Sequence, residues 1–195
     1  MKKIILAIAI LITLSSNAQK INFGIKAGLN ISMLTGSKDQ IMSSTNGFFA
    51  GALLEFKILE KIALQPELLF SQQGAKFESK NLTSSTTMKT DYLIVPIMVK
   101  YYLKRGLFLE AGPQAGFLIS AKQDVENRIT NTSTSENIKD ATKDFDMAAN
   151  VGIGYDIIDK VVTQIRYCIG ITNTSTLENA DIKNGVFQLS VGYKF

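Results

Sequence analysis

Apolar and polar residues take turns along most of this chain. In KINFGIKAGLN (20–30), Ile21, Phe23, Ile25, Ala27 and Leu29 share one face, while Asn22, Gly24, Lys26, Gly28 and Asn30 share the other. A period of two sustained over this length defines a β-strand with one apolar and one polar face. The pattern returns in GFFAGALLEFKIL (47–59), KIALQPELLFSQ (61–72), DYLIVPIMVKYYL (91–103) and GLFLEAGPQAGFLIS (106–120). It returns again in FDMAANVGIGYDI (145–157), VVTQIRYCIGI (161–171) and VFQLSVGYKF (186–195), which makes eight strands. No segment carries helical periodicity.

The connections between these segments alternate in length. Those over 35–46, 73–90, 121–144 and 172–184 are long and rich in Ser, Thr and Asn; those at Leu59-Glu60, Lys104-Arg105 and Ile158-Asp159-Lys160 are tight. An antiparallel up-and-down sheet has this organisation when one end is held to short turns and the other end varies. The expectation is an all-β fold, an eight-stranded antiparallel up-and-down transmembrane β-barrel with both termini and the short turns on the periplasmic side and four long loops outside. A soluble lipocalin-type barrel alternates too, with its faces the other way round. Three features favour the membrane. The strands are longer than the roughly 9–11 residues that cross a bilayer at a tilt. Nine of the 14 glycines fall on the charged face, where a tightly curved interior needs them and a solvated surface would not. The last strand runs to the terminus, with Phe187, Leu189, Val191, Tyr193 and Phe195 on one face, as a strand does when it must pair with the first to close a cylinder. Tyr193 and Phe195 would belong to an aromatic girdle at the membrane interface.

The N-terminus changes the picture of location. MKKIILAIAILITLSSNAQ has a cationic start at Lys2 and Lys3, an apolar run from Ile4 to Leu14 and the small-residue site Ser16-Asn17-Ala18. This is a secretory signal pattern, and the run is too short to span a bilayer as a helix. Residues 1–18 read as a signal peptide and 19–195 as the barrel domain, with Gln19 first in the mature chain. Without Lys2 and Lys3, 19 of the 21 basic residues remain against 17 acidic ones, a mature charge of +2. The sequence pI near 9.1 is thus partly a property of the leader and is no argument for nucleic acid.

Five blocks carry a family resemblance: KINFGIKAGLNIS, LQPELLFSQQGAK, DYLIVPIMVKYYL, LFLEAGPQAGFLIS and FQLSVGYKF. Together they resemble the PorT-like outer-membrane β-barrel proteins, small Gram-negative barrels broadly similar to the OmpX and OmpA types. The resemblance covers nearly the whole chain from Lys20 to Phe195. It implies outer-membrane localisation, membrane lipid as surroundings and a C-terminal strand read by the outer-membrane insertion machinery. It implies no catalytic activity and brings no functional residues with it.

The chemistry available to the chain is narrow. It has no histidine and one cysteine, Cys168, which rules out His-dependent triads, His-ligated zinc and an internal disulfide. On the polar faces stand Lys26, Lys57, Lys100, Arg166 and Lys194 against Glu55, Glu67, Glu110, Asp146 and Asp156. Inside an eight-stranded barrel these charges must pair, because an interior of that size is filled by side chains. The carboxylates could suggest a glycosidase, but they lie on separate strands with no defined separation. The acidic residues of 121–144 lack EF-hand spacing and are mixed with Lys122, Arg128, Lys139 and Lys143. Asn81 and Asn131 sit in sequon-like loop sequences and read as solvated loop. Catalytic, cofactor and metal sites are therefore expected to be none. The expected function is that of a non-enzymatic barrel whose external loops meet a partner or ligand. The alternatives are a porin-like channel for small solutes and a soluble carrier.

Overall fold

The computed structural model describes residues 21–35, 41–78, 84–127, 130, 132–158, 160–172 and 183–195. The proposed leader, Gln19, Asn81, Asn131 and much of the long connections lie outside these residues. The period-two segments form β1 (Ile21–Thr35), β3 (Thr45–Leu59), β4 (Ile62–Glu78), β5 (Ser84–Tyr102), β6 (Leu107–Asn127), β8 (Phe145–Ile158), β9 (Val161–Gly170) and β10 (Lys183–Lys194). Two short strands are added, β2 (Ile41–Ser43) beside β4 and β7 (Thr132–Asn137) beside β6.

All pairings are antiparallel, and they close. The ring runs β4, β3, β1, β10, β9, β8, β6, β5 and back to β4. The closing seam joins the first strand to the last, with Gly24 opposite Lys194 and Thr35 opposite Lys183. The backbone N–H of Phe195 adds a rung by donating to the Phe23 carbonyl at 2.8 Å. The final strand therefore does not fray, because its outer edge is occupied by β1. Both described ends of the chain lie at the tight-turn end of the ring.

The burial pattern shows which face points in. Lys26, Glu67, Lys100, Glu110 and Arg166 are no more than 3 % exposed, whereas Ile25, Leu29, Leu68 and Val191 are more than half exposed. Such an apolar exterior is untenable in water and suits hydrocarbon, where a closed ring leaves no backbone group unpaired. This arrangement excludes the lipocalin alternative, which requires the opposite orientation. Aromatic side chains mark both rims of the apolar band. Phe23 stacks on Phe195 (5.5 Å) and Tyr193 meets Phe195 edge-on (5.2 Å) near the tight turns. Phe48 with Phe70 (5.8 Å) and Phe117 with Phe145 (5.5 Å) form the other girdle.

One sequence expectation is corrected here and another is refined. Segments 73–90 and 121–144, read as loops, are largely strand, because Thr-, Ser- and Lys-rich sequence still pairs when it extends an existing ladder. β4, β5 and β6 run on past the apolar band, with Glu78 opposite Ser85 and Ser84 opposite Asn127. Lys57 keeps the inward face, in one row with the buried Ala63 and Lys100, but stands at the open rim of the barrel and is exposed there. The register shifts only beyond it, between Lys57 and Leu59, and the Lys57 ammonium lies 5.5 Å from the Tyr102 ring centre. The turn at 103–106 needs its glycine: Arg105 (φ 52°) and Gly106 (φ 83°) both adopt left-handed backbone, which reverses the chain within four residues.

Candidate functional site

Among the described residues the lumen is the most elaborate polar region, and every strand of the ring supplies a charged side chain to it. Lys26 comes from β1, Glu55 from β3, Glu67 from β4, Lys100 from β5, Glu110 from β6, Asp146 and Asp156 from β8, Arg166 from β9 and Lys194 from β10. At the centre is Glu67. Lys26 Nζ donates to both of its oxygens (3.0 and 3.1 Å), Gln65 Nε2 donates to Oε1 (2.6 Å), and Arg166 binds it in a fork through Nη1 (3.0 Å) and Nη2 (2.8 Å). Arg166 Nε also donates to Glu110 Oε1 at 2.9 Å, and Gln164 Nε2 holds the other Glu110 oxygen at 3.0 Å. Two cations thus meet two carboxylates. In the ring order, β9 and β4 stand on opposite sides, so the Arg166–Glu67 fork spans the barrel and blocks its axis.

A second balanced cluster lies nearer the tight turns. Glu55 accepts from Lys100 Nζ (3.0 Å) and the Tyr102 hydroxyl (2.9 Å), and Lys194 Nζ stands 3.6 Å from its other oxygen. Lys194 donates to both oxygens of the half-buried Asp156 at 3.0 Å. Lys100 also lies 4.2 Å from the Phe108 ring centre, a cation–π contact sheltered from water. With Lys57 exposed at the rim, the enclosed interior holds four cations from the sequence-derived set and five carboxylates. The fifth, Asp146, accepts from Asn184 Nδ2 (3.0 Å) and from the Thr172 hydroxyl, both neutral donors.

Above the charged storeys the interior changes character. Asn30, Ser71, Gln73 and Gln188 form an amide and hydroxyl layer, in which Gln188 Nε2 donates to Asn30 Oδ1 and Asn30 Nδ2 to Ser71 Oγ, each at 3.0 Å. Beyond it Phe49, Leu69, Tyr92, Ile94, Leu118 and Ala121 pack into an apolar plug, and Ile138 from the connection after β7 rests on it. That connection is fastened to β6, with Ile138 N–H donating to the Ala121 carbonyl (3.0 Å) and Leu118 N–H to the Asp144 carbonyl (2.8 Å). Beside it, at the mouth, opens a hollow of about 850 Å3 lined by Lys139, Thr142, Lys143, Asp144 and Phe145, among others. The sequence reading missed the plug. Its signal was there in FFAGALL, ELLF and LIVPIMV, runs where both faces are apolar, the mark of a strand buried on both sides. Cys168 is a buried free thiol on β9.

An apolar exterior around a packed, charge-paired interior defines an integral barrel of the outer-membrane kind. The chain belongs to the outer membrane protein beta-barrel domain family, whose model matches residues 17–176, and its place is the outer membrane. No curated protein matches it by sequence. Among solved structures, it is similar to Ail, the attachment invasion locus protein of Yersinia pestis, solved in complex with the heparin analogue sucrose octasulfate. The identity is 18 %, the TM-score is 0.56, and 90 % of this chain and 99 % of that one are covered. It is also similar to Neisserial surface protein A, at 11 % identity and a TM-score of 0.57, over 89 % of this chain and 97 % of the other. At these identities the likeness is one of fold.

Proposed function

We propose that this protein is a non-enzymatic outer-membrane barrel of the PorT-like type, which presents its long connections to a partner or ligand outside the cell and does not conduct solutes. The observation that carries this reading is the Arg166–Glu67 fork, backed by the apolar plug, which together fill the axis with side chains. The mixed-charge hollow over Lys139, Lys143 and Asp144 is the place on the described surface where a partner is best sought. Ail, a barrel of similar fold, holds a sulfated sugar analogue, which supports looking among anionic surface polymers first. In this reading the tight turns and both mature termini face the periplasm, and the alternating aromatic C-terminal strand engages the insertion machinery.

The test is conductance. Purified mature protein inserted in planar bilayers should give no discrete current steps. Stable, reproducible steps would sink the closed-barrel reading and leave the porin-like channel in its place. We propose further that residues 1–18 are a leader removed after Ala18. The intact mass of the exported protein should begin at Gln19, and a mass that retains Met1–Ala18 would refute this.

A further inference from the structure

Among the charged side chains of the lumen the carboxylates outnumber the cations by one, and the surplus lies at the mouth. Asp146 on β8 is 8 % exposed, and the two donors that hold it, Asn184 Nδ2 and the Thr172 hydroxyl, are neutral. Thr172 also lines the mouth hollow of about 850 Å3, and its hydroxyl accepts the Met147 N–H at 2.8 Å. Thr172 thus stands between the hollow and a buried carboxylate held by neutral groups alone. A buried charge without a counter-charge is costly, so a cation that reaches it gains more than one bound at an open surface.

The rest of the lining carries charges of both signs. Lys139, Asp140, Lys143 and Asp144 are exposed, and among the described residues none of these four side chains is hydrogen-bonded or ion-paired. A fastened connection presents them. Its buried Thr142 donates to the Ile138 carbonyl through the hydroxyl (3.0 Å) and to the Lys139 carbonyl through the N–H (3.0 Å), and the Asp144 carbonyl is tied to β6. Phe145 adds a partly exposed aromatic ring.

Two lysines and three carboxylates therefore meet at one hollow. A purely anionic ligand gains the lysines but faces the larger number of like charges, and a purely cationic one leaves both lysines opposed to it. A ligand with one group of each sign suits both halves, and such complementarity is what selects a partner. The volume falls within the roughly 300–1,000 Å3 of small-ligand sites. Hydroxyls beside an aromatic ring suit a sugar, since Thr142 and Thr172 keep lone pairs for its hydroxyls and Phe145 offers an apolar face to its C–H groups.

We propose that the mouth hollow binds a sugar bearing both a free amino group and an acid group, with the ammonium directed to Asp146 and the acid to Lys139 and Lys143. This inference rests on the reading of the hollow as the partner site. It narrows the ligand from anionic polymers at large to those whose sugars keep an unacylated amine.

Three soluble sugars provide the test, by calorimetric titration of the mature protein in neutral detergent: glucosamine 6-sulfate, N-acetylglucosamine 6-sulfate and glucosamine. The first should bind about tenfold tighter than the second, the worth of a hydrogen bond to a charged group. It should bind about threefold tighter than the third, the worth of an exposed ion pair. Asp146→Asn should abolish the preference for the free amine and leave binding of the N-acetylated sulfate unchanged. Lys139→Gln combined with Lys143→Gln should abolish the gain from the sulfate, whereas Lys61→Gln, at an exposed tight turn, should alter neither preference. Equal affinities for the three sugars, or an amine preference that survives Asp146→Asn, would overturn the site. Equally tight binding of a lysyl-glutamate dipeptide would overturn the sugar assignment in favour of a charged peptide segment. Both ends of the barrel meet the solution in detergent, so these outcomes are independent of bilayer conductance. Binding in detergent that intact cells lack would count against an outward-facing mouth and leave the site standing.

Discussion

Replacing Glu67 by Ala should cost on the order of 3–5 kcal/mol of unfolding free energy, the penalty for leaving buried cations uncompensated. Glu67 is the shared acceptor of Lys26, Gln65 and both terminal nitrogens of Arg166, and its side chain is fully screened from solvent. Without it Lys26 loses its ion pair and Arg166 keeps only the Nε contact to Glu110. Glu110→Ala should be milder, because Arg166 would retain its fork on Glu67. The loss there is closer to that of one hydrogen bond to a charged group, about 1.5–3 kcal/mol. Glu136, exposed on β7, should tolerate Ala within about 0.5 kcal/mol. Urea unfolding from lipid vesicles, followed by circular dichroism since the chain has no tryptophan, ranks the three directly. Equal midpoints for Glu67→Ala and Glu136→Ala would mean a water-filled lumen, and the channel reading would then replace the closed one.

Much of this arrangement is legible in the sequence, and what is not has a physical reason. Period two is a local property, so the faces of Lys26, Glu67, Glu110 and Arg166 follow from their immediate neighbours. That the charged face turns inward followed from the glycines and the unfrayed C-terminal strand, both of which answer to closure. Which carboxylate meets which cation is not local. Arg166 and Glu67 are separated by 99 residues and meet only because the strands tilt and stagger by a particular amount around the ring. The exposure of Lys57 is not local either: alternation gives its inward face, but only the length of the neighbouring strands puts it at the open rim. Phe49, Leu69 and Ile94 were hidden because their outward neighbours Phe48, Leu68, Leu93 and Val95 are apolar too, so that no alternation marked them.

Closure itself can be tested at the seam, where Gly28→Val should destabilise the barrel by about 3 kcal/mol, the upper part of the range for overpacking a tight interior. A Cβ at Gly28 would collide with the Leu189 backbone carbonyl of β10 and lie 2.8 Å from Phe49 Cζ. The carbonyl belongs to the strand that must pair with β1 to complete the ring, so relief requires the seam to part or Phe49 to leave the apolar plug. Gly116 on β6 is the control. It also faces inward, but a Cβ there would meet nothing closer than 3.6 Å, with Asp146, Ile94 and Tyr92 as ordinary neighbours. Gly116→Ala should therefore be neutral or stabilising by a few tenths of a kcal/mol, since it restricts the unfolded chain without straining the folded one. Electrophoresis without boiling offers a second readout. A closed barrel resists detergent at room temperature and migrates apart from its unfolded form, so Gly116→Ala should keep the folded band to the wild-type temperature and Gly28→Val should lose it sooner. If Gly28→Val unfolds with the wild type, β1 and β10 are not held as a tight seam, and the ring must open there.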